Sequence, residues 1–447
     1  MAPGAHGVSE RAVTPTPAGV APARAAPIAP WPLRGHPVGL VIVVLTGMWE
    51  VFALFGMRTV LVFYLTQSLA FAPAAAVQVY SLSTSAAMAM SLVGAVLADR
   101  VIGIRRAVVI GAIGMAVGHL LLVVPSMLFP ALALVVLANG LFKPALVSQM
   151  NRLYDPDDPH RDRAFTIYKA GCNGAAIFAP IVTGLAGEAY GWPVALAICG
   201  IGMVIACVTF LLGRRYLVES THSRSAVDES VGVPGQRGVA IGRLALVLLG
   251  SALFWSAHGQ QGGTIALWAD SAVNRVVCIF GRSFEIPATW FQSVNPIIIV
   301  CATPVINWWW TRRHTLGRGS DELRKMTLGA VFLSASLVIV ALAGYWSGKH
   351  PVPSAWLFGA LFLLTLGELY FDALGQAFVL RLATPTTATT FVSFWFVTLA
   401  AGFAGAGWLA QAWGHISVPW YFLAAAAVAA AAAVLVATAR RIEGARQ

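Results

Sequence analysis

The sequence predicts an all-α polytopic membrane protein, with twelve transmembrane helices in two six-helix bundles and both chain ends in the cytoplasm. Three observations carry this prediction. Of the 447 residues, 58% are hydrophobic and only 11% charged, with a mean hydropathy of +0.76, which is too apolar for a soluble protein of this length. Apolar runs of spanning length recur along the whole chain after the first 36 residues. The cations are also unevenly placed. Among 29 Lys and Arg residues, only Arg275, Arg282 and Lys349 fall on one side of the membrane, while Arg58, Lys143 and Lys169 lie inside spans. The rest crowd the other side, which marks it as cytoplasmic. The net charge of +11 is therefore a topology signal and not a nucleic-acid footprint.

The elements follow in order. Residues 1–36 are rich in Ala and Pro and lack a continuous apolar core, so they read as a disordered cytoplasmic tail and not a signal peptide. Spans 1 to 6 lie near 38–66, 74–98, 106–125, 129–150, 164–186 and 191–213, and form an N-terminal bundle over 37–213. A polar, Gly- and Ser-containing cytoplasmic linker occupies 214–242. Spans 7 to 12 lie near 243–268, 286–310, 325–346, 353–381, 387–412 and 417–438, and form a C-terminal bundle over 243–438. Residues 439–447 make a second cytoplasmic tail. Gly111, Gly114 and Gly118, like Gly402 and Gly405, either let helices approach closely or act as hinges. The run "GAIGMAVG" has no preceding strand and is not a phosphate loop. Cys172, Cys199, Cys207, Cys278 and Cys301 show no metal or redox spacing and imply no disulfide framework. No cofactor or metal is implied.

The six-plus-six division is the usual plan of the major facilitator superfamily. The loop between spans 2 and 3, "GAVLADRVIGIRR", resembles that superfamily's motif at the same place. Gly94 belongs to this run. Asp99 can cap or pair at its helix end, Gly103 permits a tight turn, and Arg100, Arg105 and Arg106 anchor the cytoplasmic face. A plain basic topology anchor is the other reading of this loop.

Several longer stretches resemble the proton-dependent oligopeptide transporter family. "LFKPALVSQMNRLYDPDDPHRDRAFTIYKAGCNGAAIFAP" follows that family's span 4–5 region, with its FKPN and FTIFYxGxNxGA patterns. "ALFWSAHGQQGGTIALWAD" resembles its span 7, "IPATWFQSVNP" its span 8 and "TLGELYFDALG" its span 10. The resemblance covers most of 38–412, without the two extra helices that many bacterial members insert between the halves. It departs at the span 1 motif ExxERFxYYG. Gly47 stands at the first acid, Glu50 at the second, Val51 at the base, and Leu54 and Phe55 at the tyrosines. Met88 and Lys169 replace tyrosines of spans 2 and 5, and Gly259 replaces the acid of span 7.

Glu50 and Arg58 lie ~12 Å apart along span 1, at ~1.5 Å per residue, and charges at that depth need partners or water. The resemblance implies that Lys143, within "FKP", faces Glu50 in a salt bridge that forms and breaks during transport; a static ion pair is the alternative. Arg58 and Asp270, both toward the outer side, are expected to pair as an extracellular gate when the carrier opens inward, unless Arg58 only snorkels. Glu368 and Asp372 are one helical turn apart and so face the same way. Glu368 matches the family's acid for a peptide amino group. Asp372 either shares a proton with it or points into water at the inner end. Lys169 either recognises a substrate carboxylate or snorkels from the end of span 5.

His258 resembles the histidine of plant nitrate carriers and is a candidate proton site, or else a packing residue. Asn173, Gln292 and Asn295 match pocket amides of the family, and Trp290 and Trp395 are expected to wall the pocket. The combined expectation is a secondary carrier of a peptide or peptide-like zwitterion, coupled to protons through Glu50, Lys143, His258, Glu368 and Asp372. It would work as a monomer by alternating access in the bacterial inner membrane, with no nucleic-acid partner. The rival readings are an exporter of a peptide-like antibiotic, an anion carrier using His258 and the lysines, and a non-transporting sensor. Absence of HExxH, GxSxG or clustered ligands speaks against an enzyme.

Overall fold

A computed structural model describes residues 35–155, 158–217, 237–279, 281–316, 321–348, 350–382 and 388–444. Among these residues, 12 helices are long and apolar enough to cross a membrane. The first six are α1 (Val38–Phe63), α2 (Pro73–Leu97), α3 (Ile104–Leu121), α4 (Leu128–Asn151), α5 (His160–Tyr190) and α6 (Trp192–Gly213). Then come α7 (Arg237–His258), a short α8 (Thr264–Ala272), α9 (Val294–Thr315), α10 (Glu322–Ser347), α11 (Ser354–Leu382), α12 (Ala388–Ala410) and α13 (Val418–Gly444). An antiparallel hairpin of β2 (Val276–Ile279) and β3 (Arg282–Glu285) follows α8. A two-residue bridge joins β1 (Val273–Asn274) to β4 (Val352–Pro353).

Expected span 7 is corrected in one respect. Its helix breaks after His258 and resumes at Thr264 as α8, because Gly259, Gly262 and Gly263 bring backbone where side chains would collide. A Cβ on Gly262 would lie 2.1 Å from the Tyr80 hydroxyl, and one on Gly263 2.5 Å from Val77. Residues 1–34 of the expected tail 1–36 and most of the expected linker, 218–236, lie outside the described residues; His36, expected in that tail, is instead buried against Tyr154, and α7 already begins at Arg237.

Two apolar cores form, one among α1–α6 and one among α7–α13. In the first bundle α1 packs on α5 and α6, and α4 packs on α2 and α3; in the second, α10 packs on α11 and α13, and α7 on α12 and α13. The α2–α4 crossing shows how sequence sets distance. Pro144 has no N–H, so the Gly140 carbonyl one turn earlier loses its helical partner. Gly94 of α2 lies directly against that carbonyl, and a Cβ there would fall 2.0 Å from the oxygen. Gly111 and Gly118 serve the α3–α4 contact against Phe142 and Val135, and Gly402 serves α12 against Trp255.

The face that bears the chain ends is here the terminal face. In the loop between α2 and α3, Gly103 adopts φ +86°, open to glycine without strain. Arg105 donates to the carbonyls of Arg214 and Leu217 and so caps the end of α6. Asp99 is exposed, and the α2 terminus has no side-chain cap. His36 and Tyr154 meet at 2.8 Å just before α1 and just after α4. Burial, with help from the His160 and Arg163 cations, lowers the His36 pKa, and burial pushes Tyr154 up to about 12.

On the opposite face the bundles are closed on each other. Ser293 donates to the Ile177 carbonyl at 2.7 Å, Gln67 donates to Asp270 at 3.2 Å, and α2 runs along α12. On the terminal face α4 and α5 have no such packing with α10 and α11.

Candidate functional site

A cavity of about 250 Å³ lies between the bundles. Its N-terminal wall is built by α1, α2 and α4, its C-terminal wall by α7, α9, α11 and α12, and the glycine break after His258 forms part of the lining. A bilayer offers no water to ionised groups, and Arg58, Lys143, His258 and Glu368 gather at this space between the bundles.

Glu368 on α11 is the centre of the C-terminal wall. Its Oε2 accepts from Asn295 Nδ2 at 2.7 Å and sits 3.2 Å from His258 Nε2. Asn295 is oriented in turn by Thr365 at 3.2 Å. These residues come from three helices, and Val294 opens α9 at the depth that aims Asn295 inward. Gln292 lines the same cavity and donates to the Gln261 carbonyl at the glycine break.

Arg58 dominates the facing wall. Its Nη2 donates to the Tyr80 hydroxyl at 3.1 Å, and its guanidinium lies 5.5–5.8 Å from the rings of Phe55, Tyr80 and Phe403. Ring faces hold a cation without neutralising it, and Nε has no partner. Lys143 lines the same space. The two walls therefore oppose a carboxylate to two cations, an arrangement that complements a small zwitterion.

Glu50 lies behind this cavity, fully buried on α1. Asn139 donates to its Oε1 at 3.2 Å, and Oε2 has no partner. Lys143 is within electrostatic reach but not within ion-pair distance, so the expected pair is apart in this conformation. Asp372, one turn from Glu368, is held by Gln376 at 3.2 Å and by Trp395 Nε1 at 3.3 Å.

Four expectations are corrected by geometry. Arg58 and Asp270 do not pair although the opposite face is closed; Asp270 instead meets Arg275 at 3.3 Å, and Arg275 also reaches Glu285 at 2.9 Å and Glu188 of α5 at 4.0 Å. Trp290 does not wall the cavity but packs on Phe284 of the hairpin, with centroids 5.8 Å apart. Trp395 is fully buried and serves Asp372. Lys169 and Asn173 lie outside the lining; Lys169 is exposed, with its ammonium 5.9 Å from the Phe165 ring. The sequence reading missed Tyr80, Gln261, Asn139 and Arg275. Tyr80 and Asn139 were legible as polar side chains inside apolar runs; Arg275 was hidden in a loop.

Comparison with known proteins gives the same picture at larger scale. A family model described as the POT family matches residues 105–233 and 239–433. The uncharacterized transporter YclF of Bacillus subtilis is 27% identical over 451 residues, covering 87% of this chain and 90% of the relative. A di-/tripeptide transporter of Lactococcus lactis subsp. cremoris is 26% identical, covering 81% and 87%. Among solved structures, a variant of the peptide transporter POT in complex with alafosfalin superposes with a TM-score of 0.85 at 26% identity, over 93% of this chain and 97% of that one. The architecture is the major facilitator fold of those transporters, and the family match spans both bundles. The chain belongs to the POT family, a family of membrane transporters and not of enzymes.

Proposed function

We propose that this transporter carries a di- or tripeptide, or a peptide-like zwitterion, across the bacterial cytoplasmic membrane by alternating access, driven by protons. One observation carries the reading: a single cavity between the bundles sets Glu368 against Arg58 and Lys143. The substrate ammonium would replace or share the donors on Glu368, and its carboxylate would meet the aromatic-caged guanidinium of Arg58 together with Lys143. A volume of about 250 Å³ suits a ligand at the small end of the usual pocket range. The printed names of the relatives, a di-/tripeptide transporter and a protein bound to alafosfalin, support the same substrate class.

Two acids serve the proton. Glu50 keeps one buried oxygen without a partner, a place where a proton relieves an uncompensated charge. When Lys143 turns toward the substrate, Glu50 takes a proton; when Lys143 returns, the proton leaves toward the terminal face. The His258–Glu368 contact is the second proton-holding group. Lys169 and Asp372 stand on opposite bundles within electrostatic reach, so closing the terminal face would draw them into a pair. Engagement of His258 with an acid leaves the nitrate-like reading without its anion-binding group.

Uptake of labelled dialanine into proteoliposomes, with and without an imposed proton gradient and with nitrate as competitor, tests the proposal. Accumulation that needs the gradient and ignores nitrate is expected. Gradient-independent flux would refute the coupling, and nitrate displacing dialanine would refute the substrate class.

A further inference from the structure

A second cavity lies elsewhere, at the terminal face of the C-terminal bundle, with a volume of about 630 Å³. We propose that it is a binding site for the phosphate headgroup of an acidic phospholipid. The end of α9 supplies Arg313 and His314, and the start of α10 supplies Arg324 and Lys325. Local carboxylates are already engaged: Asp321 binds Arg440 at 2.7 Å and accepts from the Arg324 backbone N–H, while Glu322 pairs with Arg381. Arg313, Arg324 and Lys325 form no ion pair among the described residues.

Ring faces hold these cations in place. The Lys325 ammonium lies 4.2 Å from the Trp310 ring centre, and the Arg313 guanidinium 5.0 Å from that of Trp309. Trp310 is itself fixed edge-on against the buried Tyr370, with centroids 5.0 Å apart. A basic helix end that served only as a topology signal would extend into water. Here several cations converge on one cavity, seated on aromatic platforms with hydrogen-bond donors left to offer.

The walls point to a lipid as the source of that phosphate. α9 and α10 scarcely touch each other, and the cavity lies between the end of one and the start of the other. Leading from it toward the membrane are exposed apolar side chains: Val305 and Trp308 on α9, and Leu328 and Val331 on α10. A soluble anion has no use for that track, whereas acyl chains fit it. Basic pockets between spans near a cytoplasmic leaflet are suited to anionic headgroups.

The test uses the full chain in nanodiscs of phosphatidylcholine, with or without phosphatidylglycerol, followed by native mass spectrometry for retained lipid and by thermal unfolding. Phosphatidylglycerol should be retained and should raise the unfolding temperature; inorganic phosphate added to phosphatidylcholine discs should do neither. Replacing Arg313→Gln, Arg324→Gln and Lys325→Gln together should weaken phosphatidylglycerol binding about a hundredfold, and Lys325→Gln alone about fivefold. The single change keeps the test decisive if the triple variant does not fold, and Lys325→Arg should bind as the parent does. An unchanged phosphatidylglycerol effect in Lys325→Gln, or in the triple variant where it folds, would overturn the site. Equal protection by inorganic phosphate would overturn the lipid assignment in favour of a soluble phosphorylated ligand.

Discussion

Glu368 collects a histidine and an amide on one oxygen, so a substrate amine arriving there finds an acceptor already aimed. Replacing it with glutamine removes the charge and sets an amide against two donors. Glu368→Gln is expected to weaken dialanine binding by about 10- to 150-fold, the equivalent of roughly 1.5–3 kcal/mol for a charge-assisted hydrogen bond, as read by calorimetry on purified protein; unchanged affinity would remove Glu368 from the site. Arg58→Lys should do comparable damage, because an ammonium cannot reproduce a guanidinium lying among three rings. Competition assays with acetylated and amidated dialanine would show which end each residue reads. Glu368, Asn295 and His258 were legible in the sequence because each stands in a stretch that resembles a motif of known carriers, and a polar side chain inside an apolar run has few reasons to be there. Trp290 and Trp395 were not, since an aromatic residue in a span looks the same whether it faces a cavity, a loop or a buried aspartate.

Among elements, the α2–α4 crossing rests on two glycines and a proline meeting at one point. Gly94→Ala would drive a methyl group into the Gly140 carbonyl, an overpacking that costs about 1–3 kcal/mol. Its unfolding temperature should fall measurably below that of Gly103→Ala, where nothing lies within 4 Å and only the positive φ resists. The contact of His36 with Tyr154 adds a pH dependence. Burial depresses His36 below its ordinary value of 6.5, so the packed state disfavours the imidazolium. The penalty therefore begins as pH falls through the ordinary histidine range and is complete below the depressed value. The protection factor against hydrogen exchange at the start of α1, which removes the intrinsic pH dependence of exchange, should fall between pH 7 and 5 and should lose that dependence in His36→Gln. Helix number and order were legible because twelve apolar runs leave little choice. The break in span 7 was not, because single glycines in a span are as often packing devices as interruptions.

For the whole molecule, Arg275 carries an ion pair across the closed opposite face. It lies between β1 and β2, binds Asp270 and Glu285, and reaches across to Glu188 of α5. Arg275→Ala should shift the population toward the conformation open on that face, seen as a longer distance between spin labels placed at Tyr190 and Ser283; an unaltered distance distribution would show that the apolar contacts close the face unaided. Asp270 was expected from the sequence to form an ion pair on that side, but its partner is Arg275 and not Arg58. A spacing argument along α1 and α7 has no access to a hairpin that folds back over the helix ends.

The interruption between His258 and Thr264 has a mechanical corollary. Helix α7 is clamped along its length by α12 and α13, whereas α8 is joined to it only through a five-residue stretch containing Gly259, Gly262 and Gly263. Rotation confined to that stretch would let α8 and Arg275 shift relative to α7, against the packing of Trp268 on Phe422 and the β1–β4 bridge, while His258 keeps its place. Such a molecule can admit cargo from one side without first disassembling the surface that recognises it.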